Sequence, residues 1–479
     1  MTSRLTTPLD SCAARTRHWH LAPPGSDSGV GGPAAAPTGA VTGPGAHRSR
    51  LRALASSAHF VTHLGDVLFD AASSGGEVLR FELYGGPGPV AVIFEPSYIK
   101  SVVTADEAIA PSATHESPLR PIVGGESVLT SLGRRHRQQR ALLMPRFHGR
   151  SVASYQQSID DATETALRSW PVGRPVPLAI IAQQITLDVI MAGIFGLPEP
   201  SAMTPAETAM RIELLRLLRF STTPIATATQ LMNARREDPV GLLKLFLRRI
   251  DRRILAVIDE RRTAGDAGAR DDILALLLEA RTEDGAPLSD SEIRDELITL
   301  LLAGHETTAN TVAWTFERLT RFPQVYGRAR EAVRSGDDDY LEALLNESMR
   351  SRPVVPAIAR HLLEPWDFGD DRVPDGVTAL ISILLLHHRD DLYPQPFDFR
   401  PERFVGVRPG PHELMPFGGG NRRCLGAALA MAELRTVVGE LLRRVDLQTT
   451  DAPGEAPRHR NVTMIPKAGG RVTARSIQR

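Results

Sequence analysis

The chain has 479 residues, long enough to bury a large core, and carries 56 Lys+Arg against 56 Asp+Glu. A net charge of zero removes any global electrostatic case for nucleic-acid binding. Two cysteines, Cys12 and Cys424, are too few for a disulfide framework or a four-cysteine metal site and fit a reducing compartment.

Residues 1 to about 48 are dominated by Pro, Gly, Ala, Ser and Thr. Such a stretch buries too little apolar surface to offset its ordering entropy, so a disordered tail is expected, with one folded domain over 49–479. Arg15, Arg17, His18 and His20 make its start too polar for a secretory core. A helical pattern then covers Leu64–Ala72. Val78–Leu83 and Val90–Phe94, on either side of Gly85-Gly86-Pro87-Gly88, read as a hairpin. Helical periodicity follows over 151–169, 178–195, 205–219, 240–262, 271–281, 289–321 and 340–351. Val377–Ile383, after the turn Pro374-Asp375-Gly376, is a second extended patch, and Leu425–Leu442 reads as a last helix. The class is mainly α with a small β-rich lobe. No uninterrupted run of about 18 apolar residues is present, so the expectation is a soluble cytoplasmic protein without a transmembrane anchor.

The segment from Ser289 to Arg321 is the most informative element. Ser289 and Glu292 form a capping box, and Phe322-Pro323 ends the helix because proline cannot continue the hydrogen-bond ladder. At ~1.5 Å per residue it runs about 50 Å. Leu297–Ala303 is apolar nearly all round and reads as buried. Gly304, His305, Glu306, Thr307, Thr308 and Asn310 follow, and polar groups there are costly unless satisfied or used.

Near the C-terminus stands Phe417-Gly418-Gly419-Gly420-Asn421-Arg422-Arg423-Cys424-Leu425-Gly426. Glycines allow backbone N–H groups to approach the cysteine closely, and a helix N-terminus behind it favours a thiolate. A buried, inert cysteine in a Gly-rich turn is the alternative reading. The segment resembles the haem-ligand signature of the cytochrome P-450 superfamily at every fixed position. Three more motifs carry the resemblance: Glu347-Ser348-Met349-Arg350, Pro401-Glu402-Arg403-Phe404 after Phe397 and Phe399, and Ala303-Gly304-His305-Glu306-Thr307-Thr308. Together they cover about residue 50 to the end.

The resemblance implies a triangular helical prism with the long central helix over haem b (iron protoporphyrin IX). Cys424 is then the axial iron ligand, set in a loop with Phe417, Gly420 and Gly426. His136, Arg140, Arg360 and Arg422 are implied as propionate donors. Glu347, Arg350 and Arg403 form a network beneath the haem. Thr307 and Glu306 are the catalytic pair for proton delivery. In the central helix a threonine hydroxyl can bond back to the carbonyl four residues earlier, here Ala303, and with Gly304 open a local bulge. Leu300, Ala303, Gly304, Val354, Val355 and Ala357 line the implied substrate pocket, within stretches 118–128, 212–222, 300–307, 354–358 and 463–466. Their small aliphatic character suggests a lipophilic substrate. His387-His388 has the wrong spacing for joint metal ligation.

The implied activity is O2-dependent insertion of one oxygen atom into a small molecule. Only 55 residues follow Cys424 in the sequence given, so electrons are expected from a separate ferredoxin and its NAD(P)H-dependent reductase. Arg134, Arg135, Arg137 and Arg423 are expected to offer that donor a basic patch. The competing readings are an H2O2-driven peroxygenase, in which an acid–Thr pair is usually lacking, and a non-catalytic haem sensor or carrier.

Overall fold

The computed structural model describes Phe60 and residues 63–478, apart from residues 84–87, 198–202, 222–228, 230–231, 234–235, 237 and 266–269. The expected tail and the hairpin's Gly85–Pro87 therefore lie outside the described residues.

The central helix spans Asp290–Arg321, 32 residues. Its capping box forms as the sequence predicts: Ser289 Oγ accepts the Glu292 N–H at 3.2 Å, and Glu292 Oε2 accepts the Ser289 N–H at 2.8 Å. Pro323 then opens the next helix, Pro323–Ser335, where its missing N–H costs nothing. Ile293, Leu297, Ile298 and Leu301 are almost fully buried, so this helix is the spine of the main core. It packs on the helices Leu178–Phe195, Asp338–Ser351 and Ala427–Arg444. Against the first it comes very close. A Cβ at Gly304 would lie 2.8 Å from Ile190 Cδ1, and Thr186 Oγ1 donates to the His305 carbonyl at 2.8 Å.

Leu178–Phe195 is, among the described residues, the one helix long and apolar enough to cross a membrane. Its apolar length faces the core instead, with 67% of that stretch buried inside the fold. The expected helix 151–169 is broken in two, Arg150–Ser154 and Gln156–Ser169. Tyr155 separates them: its N–H bonds three residues back to the Val152 carbonyl at 3.2 Å, and its buried ring lies against Gly193, where a Cβ would stand 2.5 Å from Cε1. The last long helix starts at Ala427, two residues later than the periodicity predicts, because Gly426 takes the N-cap position.

The smaller lobe is a four-stranded sheet. Val78–Leu83 pairs antiparallel with Gly88–Ile93, giving the predicted hairpin in the register Val78↔Ile93. Val90–Ile93 then runs parallel to Thr378–Ile381, and Ala357–His361 closes the sheet antiparallel, with Ala357 opposite Ser382. Ile93, Ile99, Val102, Ala379, Ile381 and Ile383 form a second core beneath it. A hairpin of Pro457–Arg460 and Thr463–Pro466 is tied to the central helix by Trp314, whose Nε1–H donates to the Met464 carbonyl at 3.0 Å.

Candidate functional site

The cysteine loop is folded by its own backbone. Gly418 and Gly420 adopt φ of +68° and +64°, the left-handed region that glycine enters without penalty. The Cys424 N–H then donates to the Phe417 carbonyl at 2.8 Å, and the Arg423 N–H to the Gly420 carbonyl at 3.1 Å. Gly420 also lies against the C-terminal end of the helix Pro96–Val103: a Cβ there would stand 2.0 Å from the Val103 carbonyl oxygen. Gly420→Ala therefore combines a strained φ with a backbone clash, and a loss of about 2 kcal/mol or more is expected, read from chemical denaturation together with a fall in bound haem.

Cys424 is exposed to solvent, although protein atoms crowd around it. Burial pushes its thiol above the ordinary range, against the Gly426 N–H and the charges of Arg140 and Arg423. The helix behind it thus does not by itself make a thiolate; a bound metal cation would. Among the described residues no group of three or more His, Cys, Asp or Glu could hold a bare metal ion. A single thiolate fits a metal whose other ligands arrive with it.

Cationic side chains gather around this loop from three elements. His136 and Arg140 sit one turn apart on the helix Gly133–Leu143; His136 is 2% exposed and its Nδ1 has no hydrogen-bond partner. Arg360, on the strand Ala357–His361, is 3% exposed and reaches Asn421 Oδ1 at 3.4 Å. Burial, and then Arg422, bring its pKa down to about 10. Arg422 donates through Nε to Glu107 Oε1 at 2.9 Å, through Nη2 to the Ser131 carbonyl at 2.7 Å and through Nη1 to the Val128 carbonyl at 3.5 Å. Buried cations short of acceptors are unfavourable unless an anion joins them. Beside a lone cysteine, a haem with two carboxylates fits this donor set.

Glu347 is 0% exposed. Arg350 holds it with Nε at 2.7 Å and Nη2 at 2.9 Å, the Arg400 N–H adds 2.8 Å, and Arg403 Nε pairs at 3.1 Å. Glu347, Arg350 and Arg403 are thus brought together in one ion-pair network, fully buried at its centre.

On the central helix, Leu300, Ala303 and Thr307 share one face by their spacing. Thr307 Oγ1–H donates to the Ala303 carbonyl at 2.7 Å, as expected, but the helix stays α-helical there and no bulge opens. Gly304, four residues after Leu300 and three before Thr307, lies beside that face, and a Cβ there would stand 2.8 Å from Ile190 Cδ1. Glu306 accepts from Arg460 Nε at 2.7 Å and Thr463 Oγ1 at 3.1 Å. Val354 is buried and its carbonyl accepts the Met464 N–H at 2.7 Å, which ties the turn carrying Val354, Val355 and Ala357 to the same C-terminal hairpin.

Two arginines of the expected docking patch are otherwise engaged. Arg134 pairs with Glu283 at 3.2 Å, and Arg135 with Glu292 at 2.9 Å and Glu126 at 3.3 Å. Arg137 and Arg423 remain exposed. The patch is therefore less free than the run of arginines suggested, because Glu126, Glu283 and, on the central helix, Glu292 lie beside it. Sequence reasoning missed Glu107 and Arg460, which belong to no motif and enter only through tertiary contacts. It also missed Asp295 and Glu296. Their carboxylates accept the N–H groups of Glu126 (3.1 Å) and Val128 (2.9 Å) and so hold the 124–130 loop to the central helix.

Comparison with known proteins agrees with this arrangement. The family model for cytochrome P-450 matches residues 57–473. Cytochrome P-450 135B1 of Mycobacterium tuberculosis is 37% identical over 402 residues, covering 82% of this chain and 84% of that protein. Cytochrome P-450 137 of the same species is 36% identical over 394 residues, covering 81% of each chain. Among solved structures, a retinoic acid-bound cyanobacterial CYP120A1 superposes with a TM-score of 0.69 at 24% identity, over 86% of this chain and 95% of its own. With a signature cysteine loop, a buried Glu–Arg–Arg network and a cationic cage in one fold, the chain belongs to the cytochrome P-450 family, whose members are haem-thiolate monooxygenases.

Proposed function

We propose that the protein is an O2-dependent monooxygenase of the cytoplasm that oxidises a lipophilic small molecule, with electrons supplied by a separate ferredoxin and its NAD(P)H-dependent reductase. The cofactor in this reading is haem b. Once bound, it supplies the reductive activation of O2, and the thiolate ligand favours O–O cleavage. Cys424 binds the iron, while Arg140, Arg360 and His136 orient the two carboxylates. The apolar face of Leu300 and Ala303, with Val355 and Ala357, accepts an aliphatic substrate.

The observation that carries the O2-dependent reading is the Thr307–Glu306 pair. Thr307 directs its proton to the Ala303 carbonyl. Its lone pairs are then left to accept a hydrogen bond from a water on the pocket side. Glu306, anchored by Arg460 and Thr463, stands next to it with a carboxylate that can pass protons inward. A peroxygenase or a haem sensor has no need of that pair. Thr307→Ala is expected to keep haem and substrate binding while diverting consumed electrons into H2O2. The check is product formed per NAD(P)H oxidised with a ferredoxin system. Coupling equal to that of the parent would remove the role and favour the peroxide-driven alternative.

A further inference from the structure

Glu107 takes no part in any of the motifs, yet its buried carboxylate joins three segments. Oε1 accepts Arg422 Nε at 2.9 Å and lies 3.9 Å from His136 Nδ1; Oε2 accepts the Gly133 N–H at 2.9 Å. It thereby connects the chain after the helix Pro96–Val103, the start of the helix carrying His136 and Arg140, and the cysteine loop. Its charge also offsets one of the three positive charges that Arg140, Arg360 and Arg422 bring around His136.

We propose that Glu107 is a positioning residue for the haem: it keeps Arg422 bound within the protein and prepares His136 to take up a proton when the haem carboxylates arrive. Glu107 faces His136 Nδ1 at 3.9 Å, too far for a hydrogen bond but close enough to act through charge, and a haem carboxylate on the other side of the ring would add a second anion that favours the imidazolium. Without that anion, burial first and then Arg422, Arg140 and Arg360 hold His136 down to about 4, with Glu107 alone pushing upward. The bound state therefore raises a pKa that the free protein depresses. The resulting hold on the haem is present at low pH and lost as pH rises through the bound-state value.

The inference rests on the haem-thiolate reading, and the test separates the two. Haem release from the intact holoenzyme is followed by capture in excess apomyoglobin between about pH 6 and about pH 9, a range that brackets an imidazolium raised above its ordinary ~6.5. Release is expected to become several-fold faster as pH rises. In Glu107→Gln the rise moves to lower pH, Glu107→Asp restores it in part, and in His136→Phe release is fast and independent of pH. A Glu107→Gln profile with the parent's midpoint, even if uniformly faster, would mean a merely structural role and overturn the proposal. A parent ferrous–CO band without thiolate character would overturn the haem-thiolate reading, and this inference with it.

Discussion

Cys424→Ser is expected to abolish the red-shifted ferrous–CO band that marks thiolate ligation, while leaving the protein folded. The loop around position 424 is held by backbone bonds, Cys424 N–H to Phe417 and Arg423 N–H to Gly420, and by glycine conformations that serine does not disturb. A stability change within about 1 kcal/mol follows, since no packed group is lost. Ligation is another matter. A serine hydroxyl does not ionise near neutral pH and is a hard donor, so the soft, electron-rich ligand disappears. Arg140, Arg360 and His136 still attract the haem carboxylates, so weak binding with an altered spectrum is expected. The reduced CO spectrum and the melting temperature, measured on one preparation, check both halves. Cys12 is the only other cysteine in the chain. A thiolate band surviving in the Cys12→Ala, Cys424→Ser double variant would overturn the assignment of the ligand.

What could be read from the sequence was local. The central helix declared itself through a capping box and a proline, both within a turn of its ends, and the structure places those ends where they were read. The cysteine loop was legible because its glycines, its cysteine and the following helix are contiguous. Glu347 and Arg350 share a face three residues apart, so half of their network is local too. Parts assembled from distant segments left no such trace. Nothing in the sequence marks Tyr155 as the point where the helix pattern over 151–169 divides. Nothing around Glu107 hints that Arg422, more than 300 residues later, will depend on it. Glu296 belongs to no motif, yet it is buried where it receives the Val128 N–H, and that burial pushes its pKa up to about 8. Arg134 and Arg135 read as a free basic patch because their acidic partners lie elsewhere in the chain. Where chemistry depended on contiguous residues, motif and geometry agree; where it depended on burial, only the fold could supply it.

Glu347→Gln should cause the largest loss of stability of any conservative substitution in the site. The amide is almost the same size, so no cavity forms and the effect is one of charge. Glu347 and Arg350 are both 0% exposed, and the Arg403 side chain is 11% exposed. The carboxylate balances two guanidinium groups while also receiving the Arg400 N–H. Glutamine keeps one carbonyl acceptor but turns an NH2 group toward a donor, leaving two buried cations without their counter-ion. Breaking a buried pair from one side costs about 3–5 kcal/mol, several times the ~0.2–1 kcal/mol of an exposed pair such as Arg134 with Glu283. The damage should spread towards the haem. Arg350 also donates to the carbonyls of His387, Pro396 and Asp398, and His387 Nε2 in turn accepts the Met415 N–H just before the cysteine loop. Burial holds His387 down to about 3, so it stays neutral and keeps that acceptor across the usable pH range. Loss of the Glu347 charge is therefore expected to lower both the thermal midpoint and the haem content of purified protein, whereas Arg134→Ala should leave both near the parent values. A Glu347→Gln protein with parental midpoint and haem content would show that the two arginines find other anions, and that the carboxylate does not hold the loop in place.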